Sequence, residues 1–395
     1  MTTMAYRKNL VFAAGCIGML FFGIALLSMG SLLPSIAERF RMDAITSGML
    51  VSILPFGVLA GSIVFGPIVD RFGYKLLLSL SALVVIAGLE VLAWASSFGV
   101  LQLSIFAIGF GGGVLNGGTN ALVADISAGE RGARLSLLGV FFGVGALGMP
   151  VLLGTLRGYE YSTILAGIGV ALLAPVLYFG LISFPEPKHA QGFPLREGMT
   201  LWRDKGLLLI ALTLALQSGL EGVVNNWSTT YLQQERGIDP RDALFALSAF
   251  VGGMTVARLA LAGILKTTRS DFVLFLGIAL SGIGVLVTAL STGVTGASVG
   301  LVILGVGLAG GFPLLLGYVA DLYPTISGTA FSVALVIALL GNMTINYLVG
   351  VMSEWVGAQY LPLYLGACLL LQVGVAAVAL KTYHRQAGWR QAAGG

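Results

Sequence analysis

The sequence predicts an all-α membrane protein of twelve transmembrane helices, arranged as two pseudo-symmetric six-helix bundles. Three observations lead there. Of the 395 residues, 57% are hydrophobic and only 10% charged, with a mean hydropathy of +0.96, whereas soluble domains carry about 25% charged residues. The apolar residues fall into runs of roughly 20, the length a helix needs to cross a bilayer. Finally, the second half of the chain repeats the first at a constant offset.

The predicted spans are 11–33, 45–69, 76–96, 100–124, 135–156, 162–184, 206–232, 242–265, 271–292, 297–320, 326–351 and 358–381. The first follows Arg7 and Lys8 as the apolar part of a signal peptide would. It is too long for that part, and many similar runs follow it, so it is read as a retained span. Connections are short except Pro185–Lys205 (PEPKHAQGFPLREGMTLWRDK), which is polar, Pro-rich and charged. It separates six spans from six, so the expected units are 1–184 and 206–395, with 185–205 as a linker and a short tail at the end. The 57 glycines suit helices that pack closely in lipid.

Basic residues set the expected orientation. The N-terminus, the linker and alternate loops hold 15 Lys and Arg, and the opposite loops hold 5 (Arg39, Arg41, Arg157, Arg236 and Arg241). Both termini are therefore expected in the cytoplasm, with the protein in the cytoplasmic (inner) cell membrane. The net charge of +4 is accounted for by topology and calls for no nucleic-acid partner.

The repeat aligns GFGGGVLNGGTNALVAD at 109–125 with GVGLAGGFPLLLGYVAD at 305–321, an offset of 196 between Asp125 and Asp321. The same offset pairs Asp70 with Lys266, Gly132 with Gly328, Ser136 with Ser332, Gly145 with Gly341 and Gly154 with Gly350. Two like-oriented halves with a site near the midplane between them is the plan of an alternating-access carrier.

Several chemistries are excluded. Cys16 and Cys368 lie in apolar runs, and His189 and His384 fall in the linker and the tail. No disulfide framework, metal cluster or intramembrane histidine relay can be assembled from them. No GxxxxGK[ST] loop is present to bind a nucleotide, no catalytic triad is apparent, and no cofactor is expected.

The strongest local motif is Gly66–Leu76, GPIVDRFGYKL, between the second and third spans. Asp70 can accept from Arg71, from Arg134 or from a helix N-terminus. The motif resembles the GxxxDRxGxK signature of the major facilitator superfamily. That resemblance implies a loop tying helix ends together across the cytoplasmic face, with Asp70, Arg71, Lys75, Asp125, Arg134 and Arg258 as gate residues. It also implies a monomer. LNGGTNALVAD with ADISAGERGAR in the first half, and LEGVVNNWSTTYL at 220–232, resemble the fucose–galactose–gluconate:proton symporter family and its glucose-transporter relatives. This implies a neutral monosaccharide, a hexose such as glucose, as cargo. Two family carboxylates are replaced here, by Gly30 and Asn116.

Glu221 is then the one central carboxylate. Gln217, Glu221 and Asn225 are spaced four apart and share one helix face, and an ionisable group at that depth marks a functional site by default. It is the expected group for coupling to H+ or Na+; if it only binds sugar hydroxyls, the protein is a uniporter. Asn116, Asn120, Gln217, Asn225, Asn226, Asn342 and Asn346 offer donors and acceptors matched to vicinal hydroxyls. Trp227 and Phe312 offer flat faces for a sugar ring. The competing role for these amides is to join helices. Glu90, near Trp94, is expected to reach the membrane interface. A drug or metabolite:proton antiporter competes through GVGALGMPVLLG at 143–154, but the fourth span lacks an Arg (QLSIFAIG, Gln102–Gly109).

Overall fold

A computed structural model describes residues 6–42, 44–156, 159–188 and 199–393. Among these residues the chain is helical throughout, without strands. The helices are α1 (Lys8–Phe40), α2 (Ala44–Phe72), α3 (Tyr74–Trp94), α4 (Phe98–Ile126), α5 (Arg131–Thr155) and α6 (Tyr161–Leu181). They continue with α7 (Lys205–Arg236), α8 (Pro240–Ile264), α9 (Ser270–Leu290), α10 (Val294–Leu308), α11 (Gly311–Leu322), α12 (Ser327–Val356) and α13 (Leu361–Ala393). Among the described residues, twelve segments are long and apolar enough to cross a membrane, α10 and α11 forming one of them.

The tenth predicted span, 297–320, is interrupted between Leu308 and Gly311. Pro313 has no N–H for the carbonyl four residues back, and Gly310 and Gly311 hold a helix poorly. His384, expected in the tail, lies on a helix, because α13 runs on to Ala393. His189 lies outside the described residues.

The chain divides into two compact units. The first holds residues 1–126, 140–198 and 325–332, and the second holds 127–139, 199–324 and 333–395. Each therefore includes one short segment from the opposite half of the sequence. In the first unit α4 is the central helix, with every residue from Gly111 to Ala124 buried. Its approach to α2 needs glycine: a Cβ on Gly109 would stand 2.4 Å from the Leu54 carbonyl oxygen. The second unit repeats the crossing, since a Cβ on Gly305 would stand 2.3 Å from the Phe250 carbonyl oxygen. Both pairs obey the offset of 196, so the sequence repeat is also a repeat of helix packing.

The ends of the bundles are stapled alike. In the first unit Arg39 donates to the carbonyl of Ala93 at 3.3 Å and to the Tyr161 hydroxyl at 2.7 Å. In the second, Arg236 donates to the carbonyl of Ala289 and to the Tyr231 hydroxyl. Ala93 and Ala289 are again 196 apart, and each lies at the C-terminal end of its helix, where a cation also complements the helix dipole.

Candidate functional site

α7 starts and stops on local signals. The Asp204 carboxylate accepts from the Leu207 amide at 3.0 Å and caps its N-terminus. Gly237, at φ 61°, ends it in the left-handed conformation that glycine adopts without strain. Asp239 and Pro240 then open α8, Asp239 accepting from the Arg241 amide at 2.9 Å. The resulting helix pair sets Glu221, mid-way along α7, against Arg258 of α8, with Nη2 to Oε1 at 3.7 Å. The Glu221 side chain is 24% exposed and that of Arg258 11%. Arg258, assigned to the gate by its motif position, is thus the ion-pair partner of the central carboxylate.

Gln217, one turn before Glu221, is buried. Its Nε2 donates to the carbonyl of Leu308 at 2.8 Å, and its Oε1 accepts from Gln372 Nε2 at 2.8 Å. Leu308 is the last residue of α10, so Gln217 satisfies a carbonyl at the helix break. Sequence spacing did not reveal this role. The readable signal was the GGFP run itself, which leaves carbonyls in need of a donor.

On the neighbouring face of α7, one residue further along at each turn, amides form a ladder with α12. Asn342 Nδ2 donates to the Ser218 carbonyl at 2.6 Å, and Asn346 Nδ2 to Asn342 Oδ1 at 3.1 Å. Asn226 Nδ2 in turn donates to Asn346 Oδ1 at 3.0 Å. Gly222 makes the contact possible: a Cβ there would meet Asn342 Nδ2 at 2.6 Å and Asn346 Nδ2 at 2.7 Å. Asn225 and Asn226 are exposed, Asn225 donating to the Glu221 carbonyl at 2.8 Å. Trp227 packs its ring beside Gly350 and lines a small apolar recess with Met352, Tyr360 and Tyr364. Phe312 is half-buried at the start of α11.

In the first unit, Asn116 and Asn120 are buried in α4, Asn120 donating to Asn116 Oδ1 at 3.1 Å. Glu90 is half-buried and packs on α6 where Gly169 leaves room; a Cβ there would lie 2.0 Å from Oε1. Gly30 lies on α1.

The Gly66–Leu76 motif resolves into a second cluster. Asp70 is buried and accepts from the amides of Gly328 at 3.3 Å and Thr329 at 2.9 Å, and from the Thr329 hydroxyl at 2.7 Å. Of the three partners the sequence allowed, the helix N-terminus is the one found. Asp125 accepts from Tyr74 at 2.5 Å and from Ser327 at 2.8 Å, and Lys188 of the linker stands 2.8 Å away. The repeat mates of Asp125 and Ser327 are Asp321 and Arg131, which form an ion pair in the second unit. Lys188, which sequence reasoning counted only as a topology signal, supplies from the linker the cation that Ser327 lacks. Arg134 bonds Glu130 one turn back at 3.5 Å, and Arg71 and Lys75 are exposed.

A sequence profile for the Major Facilitator Superfamily matches residues 11–294. The chain belongs to the major facilitator superfamily. Membership makes it a transporter, not an enzyme. Over 348 residues it is 24% identical to an uncharacterized transporter, y4wD, of Sinorhizobium fredii, covering 85% of this chain and 89% of that one. Among solved structures, the E. coli fucose:proton symporter FucP, in its outward conformation, superposes with TM-score 0.80 at 17% identity, covering 94% of this chain and 99% of that one. The proton:xylose symporter XylE, bound to 6-bromo-6-deoxy-D-glucose, gives TM-score 0.78 at 14% identity and 95% coverage of both chains. At such identities the likeness is one of fold.

Proposed function

We propose that this superfamily member carries a neutral hexose such as glucose across the cytoplasmic membrane by alternating access, coupled to H+ or Na+ through Glu221. The supporting observation is the row of amides and hydroxyl on α7 and α12, Ser218, Asn342, Asn346 and Asn226, running alongside the partly exposed Glu221. Amides donate and accept in the paired manner that vicinal hydroxyls require. Asn225 and Asn226 are the exposed members and offer the first contacts. Asn116, Asn120, Trp227 and Phe312 contribute in the transport cycle, and Gln217 acts by supporting α10. The sugar:proton symporters of the same fold support the cargo class. The protein works as a monomer, with both termini and the linker in the cytoplasm and Asp70, Arg71, Lys75, Asp125 and Arg134 at the gate on that side.

Coupling requires that cargo and ion favour the same conformations. Proteoliposomes loaded to create either a pH or a sodium gradient test both parts. Radiolabelled glucose should enter, be competed by unlabelled hexose, and accumulate under one of the two gradients. Uptake that merely equilibrates under either gradient would make the protein a uniporter. Absence of glucose uptake together with efflux of cationic dyes would replace the sugar reading with that of an exporter.

A further inference from the structure

The Arg258 guanidinium is underused. Its nearest carboxylate oxygen, on Glu221, lies at 3.7 Å, a distance that gives electrostatic attraction without a proper hydrogen bond. Its Nε is buried without a hydrogen-bond partner among the described residues. A buried donor left unpaired is costly, and a guanidinium presents five N–H groups in a fixed fork suited to a carboxylate. The surroundings leave room for that fork. Gly139 of α5, a member of the second unit, faces it; a Cβ there would lie 3.0 Å from Arg258 Cδ, 3.2 Å from Nη1 and 3.3 Å from Nε. Glu221 is the more exposed of the pair, so the carboxylate can leave while the guanidinium stays.

We propose that Arg258 is a carboxylate-recognition site and that Glu221 occupies it as an internal substitute for an acid group on the cargo. The substrate class then includes polyhydroxylated acids, in which a sugar ring carries one carboxylate. The hydroxyls engage the amide row, as in the hexose reading on which this proposal rests, and the carboxylate takes the Nε edge and one Nη of Arg258. Charge balance sets the stoichiometry. The Glu221–Arg258 pair is neutral, the arriving carboxylate adds one negative charge, and one proton taken up by the displaced Glu221 carboxylate restores neutrality. Among the described residues Arg258 from α8 is the charged group that meets Glu221, and Gly139 of α5 lies against the guanidinium.

Glucose and glucuronate share a ring and differ in the oxidation state of C6, which makes them a matched pair of probes. Binding of each to the purified protein would be measured by calorimetry for wild type, Arg258→Gln, Arg258→Lys and Glu221→Gln, with Glu221→Gln/Arg258→Gln guarding against misfolding from a lone buried charge. Charge-assisted hydrogen bonds predict that wild type binds glucuronate about tenfold or more tightly than glucose. The ratio should fall to about one in both variants carrying Arg258→Gln, be intermediate in Arg258→Lys, which keeps the charge but loses the fork, and persist or rise in Glu221→Gln. Glucose binding without a glucuronate preference, or a preference that survives Arg258→Gln, overturns this inference and leaves the hexose reading intact. Binding of neither sugar overturns both.

Discussion

Replacing Asp70 by Asn removes a charge and little volume, so its effect isolates the electrostatics of the cap on α12. Asp70 is 1% exposed and accepts three hydrogen bonds from the first turn of α12, from the Gly328 and Thr329 amides and the Thr329 hydroxyl. An asparagine retains one acceptor oxygen, but its NH2 group faces donors where the second oxygen stood. Hydrogen bonds to a charged group are worth about 1.5–3 kcal/mol each, and a carboxylate at a helix N-terminus adds about 0.3–1 kcal/mol from the dipole. Loss of one to two such bonds with the dipole contribution comes to about 3 kcal/mol. At about 2–4 °C per kcal/mol for a unit of this size, the melting midpoint in detergent should fall by about 6–12 °C. Thr329→Val removes only the hydroxyl donor and should cost about 1.5 kcal/mol, a drop of about 3–6 °C. A midpoint for Asp70→Asn within about 1 °C of wild type would refute the reasoning, because the carboxylate could not then be capping α12.

Gln217→Leu should destabilise the protein by about 2–3 kcal/mol, since it orphans the Leu308 carbonyl and the Gln372 amide together; a denaturation curve matching wild type would exclude the bridge. Gly222→Val should cut transport by more than about tenfold while the protein still inserts, because the added carbons occupy the space of Asn342 and Asn346 and force α7 from α12 at a cost of about 1–3 kcal/mol. Uptake and surface labelling measured together check this, and wild-type uptake would contradict it. Lys188→Gln should lower the melting midpoint by about 2–4 °C through loss of the Asp125 ion pair, worth about 1 kcal/mol when partly exposed. The shift should shrink in high salt, and a salt-independent shift would argue for packing instead.

What could be read in advance was whatever depends on local composition. The spans follow from apolar run length, and the offset of 196 read from the sequence recurs in the structure as the close glycine crossings at Gly109 and Gly305. Helix ends such as Asp204, Gly237 and Asp239–Pro240 carry their own capping chemistry in the sequence. The depth of Glu221 was also legible, from its position within one run. Its partner was not, because apolar spans carry no periodicity strong enough to say which face meets which neighbour. Arg258 read as a gate residue by motif position, and its contact with Glu221 across α7 and α8 was not legible. For the same reason the partner of Gln217, the Leu308 carbonyl 91 residues away at the end of α10, could not be read from spacing. The replacement of Ser327's missing charge by Lys188 depends on where the first residues of the linker lie, which no local pattern encodes.

Gradient-driven accumulation in proteoliposomes, comparing wild type with Glu221→Gln, tests the coupling role of Glu221 most directly. Wild type should concentrate labelled glucose above its external level when a pH or sodium gradient is imposed. Glu221→Gln, which keeps the size and hydrogen-bonding capacity of the side chain but cannot ionise, should still exchange glucose down its own gradient and fail to concentrate it. Accumulation by Glu221→Gln equal to that of wild type would contradict the account.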